Sequence, residues 1–184
     1  MTTWKQAGHR ALYSGSAAAL LSAITLAVCG KLERNSASGP LNGPSQWVWN
    51  RQAAYRRSAT LRHTLVGYGV HHLASVAWAT VHEKHIAGRF ERRGIWGHLA
   101  AGGFTAALAC AVDYGVARGR LQPGFDKQLS RKSLLAVYAS FGLGLALGCV
   151  GRQRAPHSDP RGSGASAVRA GPAIGTPRVS KREP

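Results

Sequence analysis

Four long apolar stretches constrain this chain more than any other feature. They run Ala11–Cys29, Thr64–His82, Ile95–Ala117 and Ser133–Gly151. Each is about long enough to cross a hydrocarbon layer of ~30 Å at ~1.5 Å rise per residue. Inside such a layer no water satisfies the backbone, so each stretch has to close its hydrogen bonds within a helix. The spacing therefore predicts an all-α fold. Residues 1–151 are expected to form an integral membrane four-helix bundle, and residues 152–184 a disordered basic tail.

The mean hydropathy of −0.14 points the other way only because Arg152–Pro184, rich in Pro, Gly, Ser and Arg, cancels the spans. That segment has too few large apolar residues to offset its chain entropy. The net charge of +17 has two common meanings, a nucleic-acid footprint or a set of membrane flanks. Placement favours flanks. The first and fourth stretches carry no charge, the second carries only histidines, and the third carries one acid, Asp113. Nucleic-acid contact is left to the tail alone, and the expected partners are the bilayer and other membrane helices, of a second copy or of another protein. Cys29, Cys110 and Cys149 all fall in apolar segments without a CxxC spacing, which argues against a disulfide scaffold or zinc site.

Lys5 and Arg10 before the first stretch resemble a signal-peptide flank, but no clear Ala-x-Ala site follows, so a retained signal anchor is expected. Four spans put both termini on one side. That side holds 13 basic residues against 11 on the other, a near balance. Cytoplasmic termini are expected because a long basic tail is more easily left uncrossed.

The first connection, Gly30–His63, carries turn signals at Gly39-Pro40 and Gly43-Pro44. Trp47, Trp49 and Tyr55 beside Arg51, Arg56 and Arg57 suit the headgroup layer. The pattern predicts a short interfacial helix capped by Asn42 or Ser45; a solvated loop is the plainer alternative. Ser140, Gly144 and Gly148 recur at every fourth position, as do Gly102, Ala106 and Cys110, and Gly15 with Ala19. Such strips let helices approach closely.

The second stretch is the polar one. His71, Ser75, Trp78 and His82 share one helical face, with Tyr68 and His72 on the next. Polar groups in hydrocarbon need partners, so this face should point into the bundle. Asp113 can meet His71, His72 or Tyr68 if the second and third spans lie side by side; Arg118 and Arg120 are rival partners. Tyr68, His71, His72, Ser75 and Asp113 thus form a candidate intramembrane polar cluster. It supports three readings: helix packing, a proton-coupled transport site, or a haem or metal centre. His82 and His98 are the only obvious cross-helix pair for the last, and no cofactor is otherwise implied. No GxSxG, P-loop, GxGxxG or HExxH occurs, and no nucleophile stands out, so an enzyme is not expected.

Three blocks carry a resemblance: Pro40–Trp49; Leu61–His72 continuing to Trp78-Ala79 and Glu83; and Val112-Asp113-Tyr114 with Arg120–Asp126 and the final glycine-rich span. Together they resemble a group of small four-span inner-membrane proteins of proteobacteria with no assigned biochemical role. The resemblance covers about Tyr13 to Gly151. It implies location and topology, and no catalytic residue. Gln46 stands where that pattern has a histidine, which weakens a metal role for the loop.

Overall fold

The computed structural model describes residues 2–90, 93–117 and 119–154, the side chains of 120 and 152–154 excepted. Among the described residues the fold is all-helical. The expected tail lies outside them from residue 155 onward, and residues 152–154 continue the last helix.

Helix α1 spans Trp4–Arg34, longer at both ends than the apolar stretch that announces it. Its ends explain the extra length. Thr3 accepts from the Gln6 backbone while the Gln6 side chain accepts from the Thr3 backbone, a reciprocal cap. Asn35 closes the other end at φ 53°, with Lys31 and Arg34 in the last turn, where cations suit the helix dipole. Helix α2 is a short turn, Ser38–Asn42. Helix α3 spans Val66–Val81 and is prolonged by π-type turns, Leu61–Leu65 before it and His82–Ile86 after it, the latter leading into α4, Ala87–Phe90. Helix α5 spans Gly94–Ala111 and ends in a π-type turn, Val112–Val116; α6 spans Arg131–Arg154. Three helical segments, Trp4–Arg34, Gly94–Val116 and Arg131–Gly151, are long and apolar enough to cross a membrane.

The four long helices pack in the order α3, α1, α6, α5, with α1 and α6 in the middle. Small residues set the spacing. A Cβ on Gly144 would strike the Ala18 backbone, one on Gly148 would lie 2.5 Å from the Ser14 Cα, and one on Gly102 would overlap the Gly142 carbonyl. These are the strips expected from sequence, and they bring backbones together as in small-residue membrane interfaces. The interior is correspondingly fine-grained: Ala7, Ala11, Ser14, Ala18, Ala19 and Ser22 of α1 are buried. Large apolar residues of the same helix, Leu12, Leu20, Ile24 and Val28, are exposed. Leu73 on α3, Phe104 on α5 and Leu135, Leu143 and Leu147 on α6 repeat the pattern.

The first connection departs from expectation. A single helix over Ser45–Arg57 does not form; 3-10 turns occupy Gly43–Trp47 and Arg51–Tyr55. Both Gly-Pro pairs lie before Ser45; the helical path breaks at Asn50, whose backbone is extended at φ −164° and ψ 173° and whose side chain caps a new turn. Asn42 does not cap it either. Its Nδ2 donates to the Arg56 and Ser58 carbonyls, and its Oδ1 accepts from Thr64. Ser45 donates to the Asn42 carbonyl, and the cap on the second turn comes from Asn50. The first and third connections interlock at one end of the bundle: Gln46 and Trp47 both donate to the Gln122 carbonyl, and Gln128 donates to that of Ala54.

Candidate functional site

The polar residues singled out from sequence divide between different partners. His71 and His72 both turn to α1. The His71 Nε2 lies 3.0 Å from Ser22 Oγ and 3.3 Å from the Ala19 carbonyl. Ser22 spends its own proton on the Ala18 carbonyl at 2.6 Å, so both neighbours of Nε2 are acceptors and the imidazole proton belongs there. His72 meets Ser16 through Nε2 at 3.2 Å and Tyr68 through Nδ1 at 3.4 Å. Ser75 folds back onto the His71 carbonyl, 2.8 Å away.

Asp113 goes elsewhere. Its Oδ2 accepts from the Tyr138 hydroxyl of α6 at 2.6 Å. The expected bond to a histidine or Tyr68 gives way to this one because α5 packs along α6, not along α3. Arg118 and the side chain of Arg120, the rival partners, lie outside the described residues. Tyr114 stacks edge-on against Tyr138, with centroids 6.2 Å apart, and holds the phenol beside the carboxyl group.

A cavity of about 540 Å³ reunites part of the cluster. It opens between α3 and α5 and has α6 as its floor. His71, Ser75, Asp113 and Tyr138 all reach its wall, so the predicted α3 residues and Asp113 face one space with no hydrogen bond between Asp113 and either His71 or Ser75. Trp78, Phe125 and Phe141 supply aromatic surface, and Trp47 with Pro44 and Pro123 covers the end nearest the interlocked connections.

A second polar group sits where α3 runs out, and sequence pattern did not reveal it. His82 and Glu83 are fully buried, as are Ser14, Thr105 and Cys149. Thr105 donates to the Ala101 carbonyl, so it accepts from His82 Nδ1 at 2.8 Å and leaves Nε2 facing the Cys149 sulfur at 3.8 Å. Ser14 and Cys149 both donate to Glu83 Oε1, at 2.9 and 3.3 Å. The residue of α5 that His82 meets is thus Thr105, two turns beyond the expected His98. His98 is buried, and its Nδ1 has no hydrogen-bond partner. Although His82, Glu83 and Cys149 converge, among the described residues no three His, Cys, Asp or Glu side chains are disposed to hold a metal ion. Four segments distant in sequence meet here, so only the bare presence of Ser14 and Thr105 within apolar helices signalled it.

No protein-family model, no curated protein and no solved structure matches this chain. Its functional reading rests on its own geometry.

Proposed function

We propose that this chain is an integral protein of a bacterial inner membrane, threaded four times, with both termini cytoplasmic and a non-catalytic, accessory role in the envelope. The observation that carries the reading is the inverted distribution of bulk. Most leucines and isoleucines of the long helices, with Phe104, face outward, while alanine, glycine and serine fill most of the inside around Leu26, Phe141 and Leu145. In water such a surface would expose large contiguous apolar patches; in lipid it has no such penalty, and close backbone packing replaces a greasy core as the cohesive force.

The fourth crossing belongs to α3. Its regular part has 16 residues, about 24 Å at ~1.5 Å each, which alone is short for a hydrocarbon layer of ~30 Å. The helical path continues into the flanking turns, and residues 64–82 together supply the missing length. Leu65 and Leu73 point outward along it. Trp47 and Trp49, part-exposed beside Arg62, whose guanidinium lies 4.4 Å over the Trp49 ring, suit the headgroup layer.

Alkaline carbonate extraction of cell membranes tests the insertion: the chain should stay in the pellet, and release to the supernatant would end the reading. Reporter fusions test the threading. The N-terminus, the connection around Phe90 and the chain after residue 154 should report one side, and the first and third connections the other. A first and second connection on the same side would remove α3 as a span.

A further inference from the structure

From the cavity between α3 and α5 we infer a binding site for an amphipathic cation, meaning a protonated or quaternary nitrogen, or a phosphonium, carried on an apolar body. The inference rests on the membrane reading, since it needs a ligand that partitions into lipid.

Size is the first consideration. At about 540 Å³ the cavity falls in the range of roughly 300–1,000 Å³ typical of small-molecule sites. Its position is the second. Helices α3 and α5 converge where His82 meets Thr105, but they are not packed against each other along the rest of their length. The space between them is therefore a cleft open to the side, which in a bilayer faces acyl chains instead of water.

Charge decides the ligand class. Among the described residues Asp113 is the only acid on the wall, and none of their lysines or arginines lines the cavity. A carboxylate in apolar surroundings is costly without partners, and the described one is a single hydrogen bond, from Tyr138 to Oδ2. His71 does not compensate, because its Nε2 is committed to Ser22 and the Ala19 carbonyl on α1. An anion would be repelled, and a neutral lipid would leave the carboxyl group unmatched. A cation supplies the missing charge. Trp78, Phe141 and Tyr138 add aromatic surface around the same space, which attracts soft, weakly hydrated cations. Apart from Ser22, His71 and Ser75, the rest of the wall is apolar and accepts an apolar body of undemanding shape.

Equilibrium binding of tetraphenylphosphonium to the purified full chain in mild detergent tests this. Tetraphenylborate, of the same shape and opposite sign, is the control. The expected result is saturable cation binding at a single site and none for the borate. Asp113→Asn should weaken the cation by at least roughly tenfold, the size of a lost charge contact, and Asp113→Glu should retain it. Ala77→Trp, at an exposed lining position, should block the cleft while leaving the carboxyl group in place. Should Asp113→Asn not be recovered monodisperse, Ala77→Trp decides alone. Equal binding of both ions, no saturable cation binding, or unchanged binding in either variant would overturn the assignment. So would a neutral lipid that copurifies and is retained by Asp113→Asn. Carbonate extraction reads membrane insertion separately, so failure here leaves that reading standing.

Discussion

Gly102→Ala is the sharpest probe of how this bundle is held together. Gly102 packs so closely on α6 that a Cβ would overlap the Gly142 carbonyl. A backbone atom cannot swing aside as a side chain does, so α5 and α6 must separate. Overpacking of this kind costs about 1–3 kcal/mol. Against it stands the helix propensity of alanine, a gain of about 1 kcal/mol over glycine. The adjacent Gly103 isolates the second effect, since it is exposed and a Cβ there meets nothing within 4 Å. Gly103→Ala should therefore hold or raise stability, while Gly102→Ala falls below it by the overpacking cost, roughly 5- to 150-fold in the folding equilibrium. Gly142→Ala should lie between, because its Cβ would stand 2.9 Å from the Gly102 carbonyl oxygen. Reversible unfolding of the purified protein in mixed micelles measures all three. Equal stability of Gly102→Ala and Gly103→Ala would refute the claim that close backbone approach joins these helices.

Two further outcomes follow from the buried polar contacts. Ser14→Ala removes a 2.9 Å donor from the buried Glu83 carboxyl group and should cost about 1–3 kcal/mol in the same assay, with helix content unchanged. His63, just before α3, is held below its ordinary value first by burial and then by Arg56 and Arg62. A depressed histidine is neutral in the folded state, so its contribution is complete above the unfolded value of about 6.5 and is lost as pH falls below it. Thermal midpoints taken from neutral pH into that acid range should drop, and His63→Gln should flatten the slope.

The helices were legible because apolar length speaks directly, and their true ends were not, because caps decide those. Thr3 with Gln6, and Asn35 in the left-handed region, carry α1 past the apolar stretch into Lys31, Glu33 and Arg34. The Gly144/Gly148 strip was legible too, since a spacing of four fixes one face. Which helix meets that face was not. Composition gave no neighbour order, and the choice of α6 over α3 as the partner of α5 moved Asp113 from the histidines to Tyr138. The interlocked connections were hidden for a related reason. Gln46 and Gln128 read as ordinary loop residues until the distant carbonyls of Gln122 and Ala54 come to meet them.

The pairing of α1 with α6 has a consequence for biosynthesis. Of the four long helices, α1 leaves the ribosome first and α6 last, yet Ser14 and Ala18 are shaped to receive Gly148 and Gly144. On the proposed threading, the side of α1 that α6 will cover has no mate during translation and would meet lipid or the insertion machinery first. A nascent chain halted before Arg131 would keep that side open. On that threading, insertion of α1 would precede closure of the bundle against α6.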